Sequence, residues 1–174
     1  PAPLSYTQRS LWFLDQLYPE NVAYNAPIAV RFLGRLDTNA LERSLNEILR
    51  RHELLRARFE QRNGDPVQYE APFRPTKLST ISFERLPESQ RLKTARSEAV
   101  REARHPLNLT KGPLWRAKLL RCSEREHIFV MVLHHIICDG WSIGVLVREL
   151  FSGYERFLRG DTSPSPPLPI QYGD

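Results

Sequence analysis

The sequence predicts an α/β sandwich: a mixed, mostly antiparallel sheet covered by helices. Three observations carry that prediction. Short β-prone runs alternate with stretches whose apolar residues repeat at helical spacing. Asn63-Gly64 sits between two β-prone runs, in Arg62-Asn-Gly-Asp-Pro66, which is a hairpin signal. Leu114 to Arg121 alternates Trp115, Ala117 and Leu119 against Arg116 and Lys118. A short link then leads to the unbroken apolar run Ile128 to Leu133, the pattern of a half-buried strand beside a buried one. At 174 residues the chain is long enough for one domain with a substantial core.

The elements follow in order. Ser5 and Gln8 form a capping box opening a helix to Tyr18, with Leu11, Leu14, Leu17 and Tyr18 on one face, Trp12 and Phe13 beside it, and Pro19 ending it. A loop with Asn21, Asn25 and Pro27 leads to a strand, Ile28 to Leu36, in which Gly34 marks a bulge or a close approach. Asp37 or Thr38 caps the next helix, whose Leu41, Leu45, Ile48 and Leu49 present an apolar face through Arg51. Leu54 to Gln61 and Val67 to Tyr69 are the arms of the hairpin. A β segment, Leu78 to Phe83, precedes a peripheral helix from Pro87 to Arg104 with the weak stripe Leu92, Ala95, Ala99, Val100 and Ala103. After the two later strands Gly140 makes a turn, and Ile143, Leu146, Val147, Leu150, Tyr154 and Phe157 line the last helix. From Gly160 the composition is that of a linker.

Composition narrows the function. No run reaches the ~18 apolar residues of a membrane span, and no charged start and apolar h-region opens the chain, so a soluble, cytoplasmic protein is expected. Cys122 and Cys138 belong to no CxxC pair and are expected as reduced thiols. The net charge of +5 comes from scattered arginines without aromatic interleaving, which argues against a nucleic-acid partner.

The stretch Leu133-His-His-Ile-Ile-Cys-Asp-Gly-Trp-Ser142 places two imidazoles and a carboxylate at a turn between strand and helix. Four chemistries compete for it. A metal site on His134, His135 and Asp139 suffers because adjacent strand residues point to opposite faces. A nucleophilic triad has only Cys138, three residues from His135 in a tight turn. A packed, hydrogen-bonded core histidine fits His134 best. The fourth is acid–base catalysis of acyl transfer. At most one imidazole points into a given cleft, and spacing alone does not say which.

The same stretch resembles the core motif of condensation domains of nonribosomal peptide synthetases, which belong with chloramphenicol acetyltransferase and other acyltransferases using coenzyme A or carrier-bound acyl groups. Ser5-Tyr-Thr-Gln-Arg-Ser-Leu-Trp-Phe-Leu14 resembles the family's opening motif, Arg51-His-Glu-Leu-Leu-Arg-Ala-Arg-Phe59 its second, and Leu168-Pro-Ile-Gln-Tyr172 the crossing towards its other lobe. Departures are Thr7, Ala57 and Cys138, where the family often has alanine, threonine and serine. The motifs look most like the subtype that joins two L-configured residues; cyclising relatives carry aspartates in place of the histidines.

The resemblance implies a chloramphenicol acetyltransferase-like lobe at residues 1–160 and a linker at 161–174 towards a missing C-terminal lobe, the isolated lobe being inactive. It implies that His135 is catalytic, that His134 supports it, that Asp139 faces away and pairs with Arg56, and that Gly140 leaves room for substrate. Trp141 and Ser142 support the site. No metal or bound cofactor is implied; substrates ride on phosphopantetheine arms of upstream and downstream carrier proteins, and the C-terminal lobe and adjoining synthetase domains are the other partners. The chemistry suits one histidine. An α-amino group titrates near pH 8 and a thioester has a good leaving group, so the base needs only to take a proton as the amine attacks. Such a base contributes about 10² to 10⁴ in rate, and free amides at the start of the last helix are expected to help the oxyanion. The alternatives are a related acyltransferase, an ester-forming condensation domain, or a noncatalytic docking module, which the retention of His135 and Asp139 argues against. A synthetase fragment is expected to be monomeric, an acetyltransferase trimeric.

Overall fold

The computed structural model describes residues 2–173. Its elements are β1 (Ala2–Pro3), α1 (Tyr6–Leu17), β2 (Asn25–Leu33), α2 (Thr38–Arg51), β3 (Ala57–Arg62), β4 (Asp65–Glu70), β5 (Ser79–Ser82), α3 (Glu88–Ala103), β6 (Trp115–Ser123), β7 (Glu126–His134) and α4 (Gly140–Leu158). Short 3-10 turns occupy Glu53–Arg56 and His135–Ile137. The strands form two sheets rather than one. A four-stranded sheet has the order β2-β7-β6-β5, antiparallel except for the parallel β5–β6 pair, and a three-stranded antiparallel sheet has the order β1-β4-β3. The fold is therefore mixed and mostly antiparallel, as expected, with helices against it.

The apolar run is the second strand of the larger sheet, and every residue of β7 from His127 to His134 is buried. Its two faces serve two cores. Phe129, Met131 and Leu133 pack with Leu41, Leu45, Ile48 and Leu49 of α2 and Leu146 and Leu150 of α4. Ile128, Val130 and Val132 pack with Leu120 and Cys122 of β6 and Ala95 of α3. Each large side chain so buried contributes about 1.5–3 kcal/mol. Helix α3 is thus not peripheral: it covers the second face of the sheet. Its stripe is weak because ion pairs do part of the work. Lys118 Nζ meets Glu102 Oε1 at 2.5 Å, Arg116 donates to the carbonyls of Glu102 and His105, and Glu102 is buried.

Three other expectations shift. Strand β2 begins at Asn25 and ends before Gly34, which takes a positive φ of 113°. Pro27 is tolerated because β2 is an edge strand, paired only with β7. The buried positions of α1 are Gln8 and Trp12, whereas Phe13, Leu17 and Tyr18 are exposed. The tail has no regular structure yet lies across the end of α2: Ser165 N donates to Glu47, and Arg50 and Arg51 donate to the carbonyls of Ser165 and Pro166. The hairpin is as expected, with positive φ at both Asn63 and Gly64 matching the twist of β3 and β4.

Helices α2 and α4 touch closely at one point. Ser44 is buried and its Oγ donates to the Leu150 carbonyl at 2.7 Å, directly where a Cβ on Gly153 would lie 2.4 Å from that oxygen. Gly153→Ala is therefore expected to cost about 1–3 kcal/mol in urea unfolding, because Ser44 must give up its bond or the helices must part. Ser44→Ala alone loses about 1 kcal/mol. The double variant is expected to be more stable than the sum of the two losses; strict additivity would show that the helices separate freely.

Candidate active site at the end of the central strand

The two histidines leave β7 in different directions. His134 shares strand parity with Ile128, Val130 and Val132 and is 1% exposed. Its Nδ1 accepts the Ile136 N–H at 3.0 Å, and the Tyr24 ring lies with its centroid 6.3 Å away. Because a backbone amide can only donate, His134 Nδ1 carries no proton. Burial, with the neighbouring His135 adding to it, lowers the His134 pKa to about 4. His134 is a neutral structural histidine that closes the turn after the strand.

His135 is exposed at the first position of that turn. Its backbone N–H donates to the Tyr24 carbonyl at 2.8 Å, and its carbonyl accepts the Cys138 N–H. Its Nδ1 lies 3.3 Å from the Cys138 carbonyl oxygen, which can only accept. In the neutral ring Nδ1 is therefore the donor, which leaves Nε2 as the acceptor nitrogen, with no hydrogen-bond partner among the described residues.

The turn is held from its far side by a cap. Asp139 is the N-cap of α4: its Oδ1 accepts the Ser142 N–H at 2.7 Å, and Ser142 Oγ accepts the Asp139 N–H at 2.7 Å. These bonds, the Ser142 amide first, hold the Asp139 carboxyl below its usual range. Thus Asp139 and Ser142 fix the residues that follow Cys138 and its carbonyl. The Ser142 amide is consumed by this cap, so it is not available to an oxyanion as expected. Trp141 is 80% exposed, beside a small pocket lined also by His52, Leu54 and Cys138, and a Cβ on Gly140 would meet nothing within 4 Å.

The expected Arg56–Asp139 pair is not formed. Helix α2 ends beneath Arg56, and the carbonyls of Leu49 and Arg50 in its last turn attract the guanidinium, whose Nη1 donates to both at 2.6 Å. Nε donates to Ala71 O at 3.2 Å, and Nη2 is paired with Glu70. Arg56 caps the C-terminal end of α2 and ties it to β4. The nucleophile reading fails on electrostatics, since burial, with Asp139 adding to it, pushes the Cys138 thiol up to about 12 and keeps it protonated. The residues that sequence reasoning did not assign to the site are Tyr24, whose carbonyl holds His135, and Gln8, whose Nε2 donates to the Ile136 carbonyl at 3.3 Å. In the sequence Gln8 stands out as half of a capping box and as a member of the opening motif, neither of which links it to His135.

Fold and site together define an α/β lobe that presents one imidazole beyond the end of a buried strand. The family model for the Condensation domain matches residues 1–174, and the chain belongs to that family. It is 42% identical over 172 residues to a linear gramicidin synthase of Brevibacillus parabrevis, covering 99% of this chain and 2% of that synthase. It is 37% identical to phosphinothricin tripeptide synthetase PhsC of Streptomyces viridochromogenes, covering all of this chain and 16% of that protein. The starter condensation domain of rhizomide synthetase RzmA superposes with a TM-score of 0.85 at 22% identity, over 95% of this chain and 40% of that one. The first condensation domain of the CDA synthetase gives 0.84 at 23%, over 94% and 42%. The chain spans a small part of the curated relatives and about two-fifths of these structures. No helix among the described residues is long and apolar enough to cross a membrane.

The buried neutral His134 has a consequence for stability. Its folded pKa of about 4 lies below the unfolded value near 6.5, so the unfolded chain binds more protons between those pH values. The stabilisation is complete above pH 6.5 and is lost as pH falls towards 4, about 3 kcal/mol in all. His134→Asn, whose Oδ1 replaces Nδ1 as acceptor, is expected to lower stability at neutral pH but to flatten its decline between pH 6.5 and 4 in urea titrations. A residual slope is expected from His127, which burial also lowers. An unchanged slope in the variant would refute the assignment.

Proposed function

We propose that the chain is the N-terminal lobe of a nonribosomal peptide synthetase condensation domain and that His135 is the base for amide formation. The observation that carries this reading is the 3.3 Å contact between His135 Nδ1 and the Cys138 carbonyl, because it leaves Nε2 as the acceptor of a proton. The donor is an aminoacyl or peptidyl thioester on an upstream carrier protein, the acceptor an aminoacyl thioester on a downstream one, both on phosphopantetheine arms. The acceptor amine attacks the donor carbonyl carbon, and its proton passes to Nε2. The tetrahedral intermediate collapses with cleavage of the C–S bond, and the imidazolium returns the proton to the departing thiolate. The products are an amide on the downstream arm and a free thiol on the upstream arm.

The openness of the site supports the two-lobe reading. His135 is exposed, so nothing among the described residues excludes water from it or holds both thioesters against it. Orientation of tethered substrates accounts for much of the acceleration in such a reaction, and that work falls to a second lobe and the carrier proteins. The isolated chain is accordingly inactive in this reading, and it needs no bound cofactor of its own.

The test is a single-turnover assay on the domain extended through its natural C-terminal lobe, with loaded donor and acceptor carriers and product detected by intact mass. His135→Ala is expected to lower the rate by about 10² to 10⁴. Cys138→Ser is expected to stay within about threefold of wild type, since a protonated thiol takes no part. Undiminished product from His135→Ala would remove the base, and a collapse in Cys138→Ser would reinstate the thiol.

A further inference from the structure

The geometry points to Gln8 as a positioning residue for His135, an inference that rests on the base assignment above. Gln8 is 2% exposed, on the buried side of α1, and both ends of its amide are hydrogen-bonded. Oε1 accepts the Ser5 N–H at 3.0 Å, while Nε2 donates to Gln68 Oε1 at 3.2 Å and to the Ile136 carbonyl at 3.3 Å. The two backbone partners fix which way the amide faces, since Ser5 N can only donate and Ile136 O can only accept. Gln68 is itself buried, on β4, and its Nε2 reaches the Pro3 carbonyl at 3.5 Å. One side chain thus connects the cap of α1, the smaller sheet and the turn that bears His135.

That turn has two peptide groups between His135 and Ile137, and each is held by a different side chain. The first donates its N–H, on Ile136, to His134 Nδ1; the second offers its carbonyl, also on Ile136, to Gln8 Nε2. One residue beyond Ile137, the Cys138 carbonyl receives His135 Nδ1. Once the Ile136 carbonyl loses the Gln8 donor, the second peptide is free to rotate and Cys138 moves with it. The acceptor that keeps the proton on Nδ1 is then misplaced, and Nε2 no longer holds a lone pair all the time. Gln8 touches neither substrate nor the reacting atoms; it acts through the tautomer and aim of His135.

The test separates this role from plain support of α1. Gln8→Met removes both the box contact and the bond to Ile136 O. Ser5→Ala removes the other half of the box, Ser5 Oγ accepting Gln8 N at 3.3 Å, and leaves Ile136 untouched. Long-range ¹H–¹⁵N spectra of the histidine rings in the chain, without substrate, report which His135 nitrogen bears the proton. The expected result is an Nδ1–H tautomer in wild type and in Ser5→Ala, and a mixture enriched in Nε2–H in Gln8→Met. Gln8→Asn keeps an amide but draws it back by one methylene; it is expected to behave like Gln8→Met and serves if the methionine variant does not fold. In the two-lobe domain the two Gln8 variants are expected to lower kcat by up to about 10²-fold with KM little changed, and Ser5→Ala is not. Wild-type tautomer in both Gln8 variants, or an equal change in Ser5→Ala, would overturn the proposal. Because the spectra need no reaction, that failure is distinct from a failure of the amide-forming assignment, in which the tautomer changes but no product forms in any variant.

Discussion

A strand buried on both faces cannot end in two polar residues of the same fate. Strand β7 is paired on both edges and packed on both faces, so from Ile128 to Leu133 it has no place for a charge until the strand ends. At that end the alternation of side chains continues to act. His134 keeps the parity of the α3-facing residues and stays in the interior, where it is tolerated only as a neutral ring with a backbone donor at Nδ1. His135 emerges into solvent because it is one residue further on. The division of labour between the two histidines is therefore set by the sheet, before any chemistry is considered.

Everything around the exposed imidazole is then a matter of satisfying backbone groups. The turn after β7 has peptide groups that no ladder or helix uses, and three of them find partners on three different segments: Tyr24 before β2, Gln8 on α1, His134 on β7 itself. The Asp139–Ser142 box satisfies two more amides at the start of α4. Polar networks of this kind grow more rigid as more of their members are paired, and this one holds the exposed ring beside the Cys138 carbonyl. The same logic explains Arg56. A guanidinium one turn beyond the end of a helix finds two open carbonyls, which cover more of its donors than a distant carboxylate already engaged in capping α4.

Legibility in the sequence followed the locality of each interaction. The Asn63-Gly64 hairpin, the α2 and α4 stripes and the opposite fates of His134 and His135 depend on backbone preference or period, and these could be read from neighbouring residues. The face of α1 was misread because its apolar residues outnumber its contacts: Gln8 and Trp12 are buried, while Leu17 and Tyr18 stay exposed. A buried glutamine is invisible to a hydrophobic pattern, since its burial is permitted only by partners 60 and 128 residues away. Helix α3 looked peripheral for the related reason that its contact with the sheet runs through Glu102, Lys118 and Arg116, charges that a stripe analysis counts as solvated. The separation into two sheets likewise depends on pairing between distant segments.

The resemblance to a family points to His135, but what holds that ring comes from atoms that no motif names. A carbonyl is a poor discriminator of residue type, so Cys138 can stand where serine is frequent without changing what His135 experiences: the group that holds Nδ1 is the backbone oxygen. The side chain is free to vary because its thiol, half-buried and protonated, contributes no charge to the site. By contrast Asp139 and Ser142 are constrained, because each supplies a side-chain oxygen to the other's amide. A motif of two histidines, an aspartate and a glycine is thus the visible part of a turn that buries one imidazole and exposes the other. The constraint on the remaining positions is geometric: whatever occupies them must leave the carbonyl of residue 138 where the ring can reach it.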